Sequence, residues 1–208
     1  MHGTYDHLAG QSLDRLAALS DGIFAVAMTL LVLDLRVPAS EARHSERELW
    51  DALVHLGPQF LTYFLSFLTL GIFWLGQQSQ LDRFERGNRR LAWIHVGFLC
   101  AVALMPFSTS LLAEFVRYRL ALGVYWLNLA ILGALLYASN EFAWRSHLLG
   151  ERGDDVYRLH RRRIVDYQVI YAACFALCAI DTYVSIVLLI AAQLFSVLST
   201  GVSPFRRG

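Results

Sequence analysis

RLAALSDGIFAVAMTLLVLD, residues 15–34, is the stretch from which the whole chain is read. After Ser20 and Asp21 it runs almost without interruption through apolar side chains to Leu33. A helix that crosses a bilayer needs about 20 mostly apolar residues, so residues 16–35 form the first expected span. Working outward, comparable runs occupy residues 56–76, 91–113 and 120–142. A last apolar stretch, 164–200, is too long for one helix. Asp181 and Thr182 stand at its middle and divide it into 164–180 and 183–200. The expected fold is an all-α integral membrane protein with six transmembrane helices, in a single domain over residues 1–208.

Composition agrees. Of 208 residues, 56% are hydrophobic and 17% charged, against about 25% charged in ordinary soluble domains, and the mean hydropathy is +0.45. That excludes a soluble domain and a disordered chain. A net charge of +1 excludes a bulk nucleic-acid binder. Cys100, Cys174 and Cys178 lie in apolar runs with no CxxC pair, and read as small core residues rather than a disulfide framework or metal site. The polar stretch before the first span and the lack of a cleavage pattern read as a retained helix, not a signal peptide.

Every basic residue other than histidine is an arginine, and the arginines set the orientation. With six spans and both termini inside, thirteen arginines fall inside and five outside, as the positive-inside rule requires. Trp50, Trp74, Trp93, Trp126 and Trp144 lie near span ends, where interfacial anchoring accounts for most of them. The segment 41–48, EARHSERE, reads as a solvated external turn or short helix. The basic segment 150–163 reads as an internal loop that sets topology and touches lipid headgroups.

Ionisable residues inside a membrane are costly and mark candidate sites. Asp21 lies one turn into the first span. Arg15, six residues earlier, falls on another part of the helix surface, so Ser20 and Asp21 are expected to bond to a neighbouring helix; Trp74, Gln77, Gln78 and Asn88 are the candidates. A helix N-cap is the competing reading of Ser20 and Asp21, and the two are compatible. Gly22, Val26, Thr29, Leu30 and Leu33 form one stripe at i, i+4, i+7/i+8, i+11 spacing, which by itself suits helix packing or lipid contact. Asp34 closes the outer end, where it either concentrates cations or faces headgroups.

The run from Arg15 to Asp34 resembles the first-helix signature of the transmembrane protein 175 family, Arg-x-x-x-Phe-Ser-Asp followed by an apolar helix. Trp74 near the end of the second span, Asn88-Arg-Arg-Leu91 opening the third and Met105-Pro-Phe107 late in it extend the likeness. Two positions depart from it. Leu19 stands where the family usually has Phe, and Gln77 and Gln78 stand near where it would place a histidine. The resemblance implies a potassium-permeable channel, a homotetramer of six-helix subunits with the first helix of each lining a central pore. It implies a ring of bulky apolar side chains in place of a carbonyl filter: Val26 at the family's constricting position, Thr29 at a position linked to selectivity, Leu30 and Leu33 continuing the face outward. Arg15, Ser20, Asp21, Gly22, Trp74 and Asn88 would then fix the pore helix, and Asp34 would lie at the outer mouth. It further implies a bacterial plasma membrane, partners limited to other copies and membrane lipids, no nucleic acid, and no cofactor or metal beyond permeating K+.

The competing class is a proton- or ion-coupled secondary transporter, which needs a titratable site near midmembrane and inverted repeats or broken helices. Only Asp21 and Asp181 are acids within or beside the apolar runs, both near a membrane face. An enzyme is disfavoured by the absence of HExxH, GxSxG and paired carboxylates in the spans; His95 reads as hydrogen-bonded inside the bundle.

Overall fold

A computed structural model describes residues 2–38, 45–149, 153–177 and 181–201, with side chains over 13–33, 35–38, 45–149, 153–177 and 181–197. Arg43, Arg152, Cys178, Arg206 and Arg207 lie outside the described residues, as does the Asp34 side chain. The named elements among the described residues are all helices: α1 (His2–Leu30) tightening into a 3₁₀ turn at Leu31–Asp34, α2 (Glu46–His55), α3 (Gly57–Leu81), α4 (Arg89–Ala103), α5 (Met105–Glu114), α6 (Arg119–Arg145), α7 (Gly153–Ala176) and α8 (Thr182–Gly201). Among the described residues four stretches are long and apolar enough to cross a membrane: Leu13–Leu33, Gly57–Leu81, Arg89–Glu114 and Arg119–Arg145.

Local chemistry sets the breaks. Pro58 in the first turn of α3 and Pro106 in the first turn of α5 cannot donate to the preceding turn. The run 91–113, expected as one helix, is therefore two, hinged at Leu104. Asn88 caps α4, its side chain accepting from Leu91 N at 2.8 Å, and Asp181 caps α8, accepting from Val184 N at 3.0 Å. Asp181 thus ends the apolar stretch where the sequence divides it. α6 ends in a Schellman turn: His147 takes a left-handed φ of 51°, while Leu148 N bonds Ala143 O and His147 N bonds Trp144 O.

Two expectations need correcting. The basic segment 150–163 is not a loop: from Gly153 it is helical, opening with Asp154 and Asp155, whose charges favour a helix N-terminus. Of the two readings of segment 41–48, the short helix is found from Glu46, with Ser45 Oγ accepting from Glu48 N at 3.3 Å. Cys174 is buried as expected, but Cys100 is exposed, because α4 turns Phe98, Leu99 and Val102 inward instead. The tryptophans also divide. Trp50 and Trp93 are exposed, whereas Trp126 stacks on Phe175 at 4.9 Å and Trp144 on Tyr157 at 4.7 Å.

α6 packs against α4, α5 and α7; α1 rests on α3, α4 and α5; α8 closes against α3 and α7. The main core gathers Phe24, Leu65, Phe98, Leu122, Tyr125 and Tyr171. A second cluster, Leu16, Leu81, Phe84, Leu91, Ala143 and Leu148, joins the start of α1 to the α3–α4 and α6–α7 turns. There Glu85 N bonds Leu148 O at 2.9 Å. The arginines after α3, at the end of α6 and in the first half of α7 are thereby collected at one end of the bundle.

α6 and α7 meet most closely at Gly133, where an added Cβ would lie 1.7 Å from Gln168 Nε2. That amide donates to Leu129 O at 3.2 Å. Gly133→Ala should lower stability by about 1–2 kcal/mol, through lost hydrogen bonding and crowding. In a Gln168→Ala background the same change should cost almost nothing. Thermal unfolding of the four proteins in detergent checks this; an undiminished cost in that background would contradict the contact.

Candidate functional site

α1 has two faces of different character. Leu16, Ser20, Phe24, Ala27 and Leu31 recur at helical spacing and are buried against the bundle. Roughly a third of a turn around the helix, Leu19, Val26, Leu30 and Leu33 are 49, 58, 43 and 68% exposed. An open groove runs along this side, floored by Ala18, Gly22, Ala27 and Ala103. Nothing stands within 4 Å of a Cβ placed on Gly22. Small residues of this kind let another helix approach closely.

A buried polar layer fixes which face turns outward. Ser20 Oγ donates to Gln77 Oε1 of α3. Gln77 Nε2 lies 3.2 Å from His95 Nδ1 of α4, and His95 Nε2 lies 3.2 Å from Ser139 Oγ of α6. An amide nitrogen only donates, so Nδ1 accepts and the imidazole is neutral with its proton on Nε2, donated to Ser139. All four side chains are at most 2% exposed. Every polar atom named has a partner, as a low-dielectric interior demands. Beside this layer and nearer the surface, Asp21 Oδ1 accepts from Trp74 Nε1 at 2.8 Å and from Gln78 Nε2.

The structure thus brings Ser20, Asp21 and Trp74 together with both glutamines, and leaves others apart. Asn88 is not in the layer: its carbonyl is engaged in capping α4. Arg15 is exposed on α1. Val26, Leu30 and Leu33 share the outward face, and Thr29, also exposed, donates its hydroxyl to Val26 O at 2.8 Å. Asp34 closes the 3₁₀ turn. His95 is hydrogen-bonded within the bundle, as its position predicts. Among the described residues no three His, Cys, Asp or Glu side chains cluster as metal ligands.

Reading the sequence missed a second polar belt deeper in the bundle. Thr109 Oγ1 donates to Ser66 Oγ at 2.7 Å, Ser66 and Thr69 both meet the Tyr125 hydroxyl, and Gln193 Nε2 of α8 donates to Thr69 Oγ1 at 2.6 Å. Its signal was present. Thr62, Ser66, Thr69, Gln77 and Gln80 recur on one face of α3 at three- and four-residue steps, leaving one gap at Phe73, and all are buried.

The chain is similar to known proteins in sequence and in fold. Residues 15–106 match the sequence profile of the endosomal/lysosomal potassium channel TMEM175. A potassium channel of Streptomyces collinus is 38% identical over 103 residues, covering 50% of this chain and 48% of that one. A potassium channel of Chamaesiphon minutus is 31% identical over 146 residues, covering 67% and 70%. The match thus spans about half the length of the first relative and over two thirds of the second. The crystal structure of a lysosomal potassium-selective channel TMEM175 homolog from Chamaesiphon minutus superposes with a TM-score of 0.77 over 91% of this chain and 98% of that one, at 24% identity, and so shares the fold.

Gln77 is the joint of the buried layer. Gln77→Leu strands the Ser20 hydroxyl and His95 Nδ1 and should cost about 3 kcal/mol. Gln78→Leu, which loses only the exposed bond to Asp21, should cost less than about 1 kcal/mol. Unfolding midpoints in detergent check the contrast; equal losses would contradict the layer.

Proposed function

The chain belongs to the TMEM175 family of potassium channels, and from that premise we propose that four copies assemble around their first helices to form a potassium-permeable pore. Membership makes it a multi-pass membrane protein of an ion-transport family. The observation that carries the proposal is the contrast on α1: a buried face pinned by paired polar groups, and an outward face that is apolar and unoccupied in the protomer. In the six-span reading α1, α3, the α4–α5 pair, α6, α7 and α8 each cross once. The arginine-rich end is cytoplasmic, with both termini, in a bacterial plasma membrane.

Four copies of Val26, Leu30 and Leu33 would ring the axis as a hydrophobic constriction that gates by dewetting. Thr29 suits a cation passing this ring. Its hydroxyl hydrogen is given to Val26 O, which leaves the oxygen lone pairs turned away from the helix. Four such oxygens replace part of a hydration shell without holding the ion as charged rings would. Weakly hydrated potassium passes more readily than sodium, and the preference is modest. Ser20, Asp21, Gly22 and Trp74 set the tilt and rotation of the pore helix; Arg15 and Asn88 position its inner end and the start of α4. Asp34 lies at the outer mouth. The reading needs no cofactor, no nucleic acid and no partner beyond other copies and lipids.

In liposomes under a potassium gradient, the protein should dissipate the gradient with or without a protonophore. Flux that instead tracks the pH gradient would support a coupled transporter. Leu30→Ala and Leu33→Ala should raise conductance and blur the distinction between potassium and sodium; unchanged currents at both sites would refute the constriction. Asp21→Asn should reduce tetramer yield more than it alters selectivity, measured by size-exclusion chromatography and reversal potentials. Normal assembly with lost selectivity would move Asp21 into the permeation path.

A further inference from the structure

Away from the outward face of α1, a crevice separates α3 from α7, with α6 as its floor. Its cavity volume is about 90 Å³, and the rest of the space lies on its open side. Its walls are mostly apolar: Phe73, Leu75 and Gly76 on α3, Leu136 on α6, Ile164 on α7. At the arginine-rich end its mouth is lined by Arg163 and His160. Burial first, then the nearby Arg83 and Arg163 charges, holds the His160 pKa below its ordinary value. Arg163 is the cation of the lining.

One polar atom in this lining lacks what a buried group requires. Gln80 is 1% exposed and its Nε2 donates to Leu136 O at 3.2 Å, but its Oε1 has no hydrogen-bond partner. Such a group is costly unless something completes it. One wall set thus offers an arginine and an acceptor at one end and a greasy slot beyond.

We propose that this crevice seats one anionic phospholipid per protomer, its phosphate against Arg163 and an acyl chain between α3 and α7. A headgroup hydroxyl donates to Gln80 Oε1. Charge complementarity selects an anionic over a zwitterionic lipid, and the apolar length of the slot selects a lipid over a free anion. The site rests on the orientation given above, not on which face of α1 lines the pore.

Native mass spectrometry of the assembled protein in detergent, titrated with phosphatidylglycerol or phosphatidylcholine, tests this. The wild type should retain one phosphatidylglycerol per protomer in preference to phosphatidylcholine. Arg163→Gln should reduce that preference about fivefold, the worth of one arginine at an anionic headgroup. Arg158→Gln, an exposed arginine one and a half turns away on α7, should not. Gly76→Leu, whose Cβ meets only Leu136 at 3.9 Å, should fill the slot and abolish retention of both lipids. Displacement of the lipid by millimolar inorganic phosphate, equal loss in the two arginine variants, or full retention in Gly76→Leu would each overturn the proposal. If Gly76→Leu does not assemble, the paired arginine variants decide alone. A potassium flux that persists in Arg163→Gln while lipid is lost separates failure of this site from failure of the channel reading.

Discussion

The rotation of α1 is set by one constraint: a hydroxyl and a histidine buried in a low-dielectric bundle must find partners. Ser20 meets that requirement through Gln77, and Gln77 in turn completes His95, which reaches Ser139. Four helices are thereby fixed in azimuth at one level. Turning α1 by one residue would put Leu19 or Asp21 where Ser20 now sits and leave the Gln77 carbonyl without its donor. Packing of Leu against Leu tolerates such slippage; a paired polar layer does not. The outward placement of Val26, Leu30 and Leu33 follows from the same constraint, since these positions lie off the buried stripe by helical geometry alone.

α3 carries most of this constraint. Its buried polar stripe meets α1 through Gln77, α5 through Ser66, α6 through Gln80 and α8 through Thr69. In a membrane the apolar surface of a helix gains little by burial against another, so hydrogen bonds and close packing carry more of the specificity. Through Gln77 it also meets His95 of α4, so this one helix registers five of the others. Exposed polar work is left to Asp21, whose bonds to Trp74 and Gln78 brace the end of the layer.

How much of this was legible differs by feature. The apolar runs located α6 and the apolar stretch of α1, Leu13–Leu33, to within about three residues, because bilayer thickness is a hard ruler; α1 itself begins at His2, and α3 runs five residues past its expected end to Leu81. Asp181 marked the break before α8 because a carboxylate there caps the helix. The hinge at Leu104 was missed because hydropathy is blind to a lost N–H, although Pro106 was in view. The α7 start was missed because Arg158 and Arg161–Arg163 look like a loop by charge, while Asp154 and Asp155 favour a helix N-terminus. Ser20 and Asp21 were legible as network residues, and Trp74 and Gln78 as their neighbours. That Gln77 joins a histidine from the next helix was not, because the link needs the packing of α3 on α4. Asn88 was misplaced: a helix cap and a network residue share one residue type, and only its bond to Leu91 N distinguishes them.

The account stands on the outward face of α1 meeting its counterpart in other copies. Single cysteines at Leu19, Val26, Leu30 and Leu33, and at Ala27 on the buried face, introduced after replacing Cys100, Cys174 and Cys178, test that contact in membranes under mild oxidation. The account predicts that the outward positions cross-link one copy to another and that Ala27→Cys does not. Cross-linking at Ala27 with none at Val26 or Leu30 would contradict it.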